Sequence, residues 1–104
     1  MTAPALPLVF TRRAERQLEN AVAWWRANRP AAPNALIQEL TRALDLIACQ
    51  PGIGAVASNS RLAGVRRILL EPVGYHVYYR VRPVLRRIDI LAFWHGQRGS
   101  SPSL

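Results

Sequence analysis

The chain contains no lysine, and its 104 residues include a single cysteine, a single methionine and only six acidic side chains. Each shortage excludes something. One cysteine, Cys49, cannot make an internal disulfide framework or a zinc site built on thiolates. At a helix end, a lone cysteine is expected as a small buried hydrophobe. Two separated histidines, His76 and His95, with few carboxylates do not close a metal site, so no metal and no cofactor are expected. Gly52, Gly54 and Gly64 form no phosphate-cradling pattern and read as turn residues. No apolar run reaches the roughly 18 residues of a membrane span. The opening residues lack the basic region of a secretory leader. A cytoplasmic protein with no membrane partner is the expectation.

What is present is arginine. All fourteen basic residues are Arg, and the net charge is +8. The abundance of Ala, Pro and Gly alongside Arg fits a compositional bias. The charge has consequences all the same: such a chain attracts nucleic acid or an acidic protein at low salt. Half the residues are hydrophobic, enough for one folded domain of this length. That domain is expected over residues 1–98, with a short tail over 99–104.

The hydrophobic spacing predicts the elements. Residues 7–10 read as a short strand, and Thr11 stands where a helix N-cap belongs. Ala14, Leu18, Ala21, Val22 and Trp25 then form one apolar helical stripe, with Trp24 beside it. Pro30 and Pro33 interrupt it, and Pro33 suits the first turn of a second helix. Leu36, Leu40, Ala43, Leu44 and Ile47 repeat the stripe until Pro51-Gly52. Residues 51–64 read as loop. Three strand-like runs follow, over 65–71, 75–82 and 86–94, with links too short for anything but an antiparallel meander. The fold class is therefore α+β: an N-terminal strand, an antiparallel helical hairpin, and a three-stranded antiparallel meander.

A helical hairpin covers one sheet face. Strict alternation puts Tyr75, Val77, Tyr79 and Val81 on one side and His76, Tyr78, Arg80 and Arg82 on the other. In the last strand it groups Ile88, Ile90, Ala92 and Trp94 against Asp89, Leu91, Phe93 and His95. The uncovered face then keeps aromatic and aliphatic groups among Arg and His, a pattern of binding surfaces. Phe93 and Trp94 point opposite ways, and the outer one is the better partner contact.

With these elements in order, the chain resembles the ParE/RelE family of type II toxins from toxin–antitoxin modules. The resemblance spans about residues 8–98. It rests on Arg13-Ala14, on Leu44-Asp45-Leu46-Ile47-Ala48 running into Pro51-x-x-Gly54, on Gly64-Val65-Arg66-Arg67, on Val77-Tyr78-Tyr79-Arg80-Val81, on Ile88-Asp89-Ile90-Leu91, and on His95-Gly96-Gln97-Arg98. The resemblance implies a toxin neutralised by a cognate acidic antitoxin, which alone would contact operator DNA. RelE-like members cut mRNA on the ribosome, whereas ParE-like members poison DNA gyrase. The closing His95-Gly96-Gln97-Arg98 and the helical hairpin look more ParE-like. A RelE-like ribonuclease, or a non-toxic relative that only binds antitoxin, are the alternatives.

RNA cleavage by a 2′-hydroxyl needs a base, an acid and a cation beside the phosphate. Arg66, Arg80 and Arg98 could supply the cation. His95, at a strand end, is the better placed imidazole. If the chain is a nuclease, His95, Arg66 and Arg80 are the catalytic candidates. If it docks on a target, Arg66, Arg80, His95 and Arg98 are the toxicity candidates, and Trp24, Tyr78, Phe93 and Trp94 the antitoxin contacts. The plainer accounts are a strand-end histidine, solvated arginines, and ion pairs of Arg66 with Glu71 or Asp89 and of Arg80 with Asp89. Trp25 is expected in the core.

Overall fold

The structure, a computed structural model, describes residues 5–58, 60–96 and 102–104. The chain runs β1 (Leu8–Phe10), α1 (Arg12–Asn28), α2 (Ala35–Cys49), β2 (Ala55–Val56), β3 (Val65–Leu70), β4 (Tyr75–Arg82) and β5 (Arg87–His95). One sheet holds the strands in the order β1-β5-β4-β3-β2. The meander β3-β4-β5 is antiparallel, and β1 joins β5 in parallel. The α+β architecture is the expected one, enlarged by β2 inside the stretch that reads as loop.

Thr11 caps α1 as its chemistry requires: its hydroxyl accepts the Ala14 N–H at 3.1 Å. Both helices lay their apolar stripes on one side of the sheet. Ala14 and Ala21 of α1, with Leu36, Leu40, Ala43 and Ile47 of α2, are buried against Leu70, Tyr75, Val77, Tyr79, Ile88, Ile90 and Phe93. Trp25 is half-buried against this core, with its indole N–H donated to the Ala32 carbonyl. Pro33 is not in the first turn of the second helix: it immediately precedes the N-cap Asn34 of α2, which starts at Ala35. Cys49 is exposed rather than buried. It follows Ile47 by two residues, about half a helical turn off the buried stripe.

The alternation of β5 does not run through. Tyr78 pairs with Ala92 and Tyr79 with Ile90, so Leu91 is an extra residue in β5. This β-bulge reverses the faces beyond it. Ile88 and Ile90 face the helices before the bulge, and Phe93 does so after it. Leu91, Ala92 and Trp94 belong to a second cluster, with Val65 and Tyr78, on the opposite face.

That opposite face is not left bare, as strict alternation with a solvated tail implies. Pro102 is buried there, and Leu104 packs on the second cluster. Beside it, Asp89 is only 7% exposed and lies between Arg82 and Arg87 at 3.3 and 2.8 Å.

One buried hydroxyl ties the loop after α2 to the sheet. Tyr79, fully buried in β4, donates to the Pro51 carbonyl at 2.7 Å and accepts the Gly54 N–H at 2.8 Å. A Cβ on Gly54 would stand 2.6 Å from that hydroxyl and 2.9 Å from the Arg67 carbonyl. Only glycine fits. We expect Tyr79→Phe to cost about 1–3 kcal/mol, because two buried backbone groups lose their partner. Gly54→Ala should cost about as much through overpacking. Urea unfolding of the two variants checks both. Wild-type stability in either would mean that the clamp contributes nothing.

Candidate functional site

The two sheet faces end in different chemistry. On the helix side, at the end of β5, a groove of about 450 Å³ opens between α1 and the sheet. Trp24, Tyr75, Phe93 and His95 wall it, and Gln17 and Asn20 supply amides. Gln17 of α1 accepts the Phe93 N–H at 2.9 Å, which fixes the helix on the strand just past the bulge. Tyr75 stacks on Phe93 at 4.7 Å and meets His95 edge-on at 4.9 Å. Trp24 is 47% exposed, with the Arg29 guanidinium 5.6 Å above its ring. The stacked Tyr75–Phe93 pair is a rigid floor, and Trp24 is its accessible wall.

On the open face the register places Arg67, Tyr78 and Ala92 in a row, with Val65, Arg80 and Asp89 beside it and Leu69, His76 and Trp94 beyond. Arg67 and Tyr78 border a small cavity of about 60 Å³ next to Pro102 and Leu104. His76 is half-buried. Its pKa is pushed below the usual 6.5 by burial first and then by the charge of Arg67. The imidazole also explains Gly96: a Cβ there would lie 3.2 Å from His76 Cε1 and 3.1 Å from the Gly74 carbonyl, which accepts the Gly96 N–H.

The bulge thus separates residues that simple alternation groups. Phe93 and His95 lie on the helix side with Trp24, while Tyr78, Arg80 and Trp94 lie on the open face. Trp94 is the outer member of the Phe93–Trp94 pair. Phe93 is buried under α1, and Tyr78 keeps only 4% of its surface. Arg66 pairs with neither Glu71 nor Asp89. Its guanidinium donates to the Gly54 carbonyl at 2.7 Å and so belongs to the Tyr79 clamp. Arg80 faces Asp89 in register, yet the carboxylate is taken by Arg82 and Arg87, and no ion pair among the described residues includes Arg80. Arg98 lies outside the described residues. Gln17 and Asn20 were hidden in the sequence because an amide on a helix carries no spacing signal.

Among the described residues no group of three or more metal-ligating side chains forms, and no helix is long and apolar enough to cross a membrane.

A small basic domain with this sheet order, a helical hairpin on one face and arginines on the other has the fold of toxins from toxin–antitoxin systems. A chain of the chromosomal ParDE toxin–antitoxin system from P. aeruginosa superposes with a TM-score of 0.69 at 21% identity, over 88% of this chain and 96% of that one. The isolated E. coli RelE toxin superposes with a TM-score of 0.54 at 20% identity, over 92% and 89%. No curated protein sequence is similar enough to count as a match. The profile of the ParE toxin of the type II toxin–antitoxin system parDE matches residues 8–99, and the chain belongs to that family. It is a toxin of a type II module, and membership implies an antitoxin partner.

Two measurements follow from the side-chain geometry. Because the folded pKa of His76 is depressed, the unfolded chain binds more protons in the interval below 6.5. The stability that neutral His76 contributes is full above that value and is lost as pH falls through the folded pKa. Melting curves should therefore decline with acid below about pH 6.5, less steeply in His76→Gln. Equal slopes would remove His76 as a cause. Separately, Arg66→Ala should lower stability by about 1 kcal/mol through its lost bond to the Gly54 carbonyl, and Arg80→Ala by less. The opposite ranking in chemical unfolding would return Arg80 to a structural ion pair.

Proposed function

We propose that this toxin acts by docking on DNA gyrase, and that a cognate acidic antitoxin neutralises it by covering the docking residues. The observation that carries this reading is the placement of the two imidazoles on opposite faces of the sheet. His76 stands on the arginine face, and His95 opens into the groove under Trp24. A 2′-hydroxyl attack on a phosphate held by Arg67 or Arg80 has one imidazole within its face, not a base and an acid together. Asp89 is already bonded to Arg82 and Arg87. Tyr79 is turned into its clamp, with burial pushing its pKa up.

Docking asks for less: rigid aromatic anchors with arginines around them, the residue types that dominate interface energetics. Trp24 over the Tyr75–Phe93 stack is such an anchor, with His95 at its edge. Arg80, Arg67 and Trp94 offer the same chemistry on the open face. The net charge of +8 adds long-range attraction to an acidic partner.

The test is a pair of assays on the same purified toxin: gyrase supercoiling with trapping of cleavage complexes, and mRNA cleavage on translating ribosomes. We expect inhibition in the first and intact mRNA in the second. Trp24→Ala should weaken the inhibition by about tenfold or more, the scale of an interface anchor. Codon-positioned cuts that vanish in His76→Ala or His95→Ala, with supercoiling untouched, would replace docking by RelE-like ribonuclease action.

A further inference from the structure

The link between β4 and β5 breaks two local rules at once. It consists of Pro83, Val84, Leu85 and Arg86, and the Arg86 N–H closes the turn on the Pro83 carbonyl at 3.1 Å. Turn centres favour Gly, Asn, Asp and Ser. Here the centre holds two aliphatic residues. Val84 is 95% exposed and Leu85 48%, so Val84 touches almost none of the rest of the domain. Arg86 then takes a φ of 51°. That left-handed backbone is strained for a residue with a side chain and free of strain for glycine. Among the described residues, no other non-glycine has a positive φ. Neither an exposed aliphatic tip nor a strained arginine stabilises the fold. Such local violations are a mark of functional positions.

A collar of charge stands around the tip and is held in place. Arg82 and Arg87 pair across the hairpin, and both bond Asp89, at 3.3 and 2.8 Å, while staying partly exposed. Arg86 is exposed beside them. Three guanidiniums against one carboxylate leave the base of the tip cationic. The tip lies at one end of β4, and Tyr75 of the Trp24 groove lies at the other, about 25 Å away.

We infer that the β4–β5 tip is a second docking element of the toxin, which inserts Val84 and Leu85 into an apolar pocket rimmed by carboxylates on its protein target. This contact rests on the docking on gyrase proposed above, to which it adds a second point of attachment. Charge complementarity and shape select that occupant. A second copy of this chain has only six acidic residues to offer the collar. An anionic lipid surface fits less well, because membrane affinity scales with buried apolar area and two aliphatic side chains supply little. The tip also lacks the aromatic residues that settle at membrane–water interfaces. A collar whose guanidiniums are positioned by Asp89 suits carboxylates at fixed places better than a fluid layer of headgroups. Once the groove has engaged, the tip binds as an intramolecular event, so even a small contact strengthens the whole.

The test measures binding kinetics on immobilised gyrase and inhibition of supercoiling, for the intact toxin and two variants. Val84→Ser combined with Leu85→Ser removes the apolar pair and keeps every charge. It should raise the half-inhibitory concentration about tenfold or more, chiefly through faster dissociation, with the melting point unchanged. Arg86→Gly removes one collar charge and the backbone strain together. Its melting point should not fall, while its association with gyrase at low salt should slow. A structural role alone predicts the reverse, lower stability with unaltered docking. If the intact toxin inhibits gyrase and both variants do so equally well, the tip is not a docking element, although docking itself stands. If the intact toxin neither binds nor inhibits gyrase, docking falls and this contact falls with it. If inhibition is equal but phosphatidylglycerol vesicles bind the intact toxin and not the serine variant, a lipid surface replaces the protein pocket and the inference is overturned.

Discussion

The hydroxyl of Tyr79 is the contact on which the other parts of this molecule depend. It sits in the middle of the sheet, fully buried, and its bonds to Pro51 and Gly54 bring the chain leaving α2 back against β4. A tyrosine buried among aliphatic groups must satisfy its hydroxyl or lose stability. Here the same bonds determine where β2 begins. β2 pairs with Arg66 and Arg67, so the clamp also sets the edge of the sheet and the loop whose Ser60 and Arg61 rim the open face. Arg66 closes the arrangement from the other side through the Gly54 carbonyl. Arg66, a candidate for function in the sequence, is bonded into this arrangement, and the arginine next to it, Arg67, borders the small cavity on the open face.

The second constraint is a single inserted residue. Without the bulge at Leu91, β5 would carry Phe93 and His95 to the arginine face and send Trp94 into the helices. With it, the toxin has two separate surfaces of different character. One is an aromatic groove with amides and an imidazole. The other is a cationic face around Tyr78. Bulges commonly re-aim side chains in this way. The separation matters for chemistry, because acid–base catalysis at a phosphate needs its groups within hydrogen-bond reach of one substrate, whereas two docking surfaces can engage two partners, or two parts of one partner, at once.

Much of this was legible in the sequence. The N-cap at Thr11, both helical stripes, the three meander strands and the two-sided aromatic pattern of β4 all obey local rules that hold here. The uninterrupted apolar run Ile90-Leu91-Ala92 was the one visible sign that β5 would break alternation, but a buried strand reads the same way. The Pro51-x-x-Gly54 spacing was visible without its partner, since Tyr79 lies 25 residues beyond Gly54 and nothing local announces a long-range hydroxyl bond. Asp89 shows the same limit. Register alone assigns it to Arg80, while Arg82, diagonally across the strand pair, and Arg87, two residues before it on β5, take the carboxylate. The return of Pro102 and Leu104 to the sheet was concealed by a tail of serines, which composition assigns to solvent.

That pairing also shapes the charge available to a partner. Asp89 neutralises part of the field of Arg82 and Arg87 at one end of the open face, beside the β4–β5 turn. Arg80 faces Asp89 in register, and Arg67 stands further along, beside Tyr78 across the strand pair. Arg67 therefore sets its charge next to the apolar cluster around Tyr78. Guanidinium groups lose little on partial desolvation compared with ammonium groups and still match carboxylates in two-point contacts. A face made of arginine can accordingly hold an apolar side chain and an acidic group at adjacent positions. A lysine-rich face of equal charge would attract the same partner from a distance and grip it less well on contact. The complete absence of lysine, whatever its origin in composition, leaves such contacts to guanidinium groups alone.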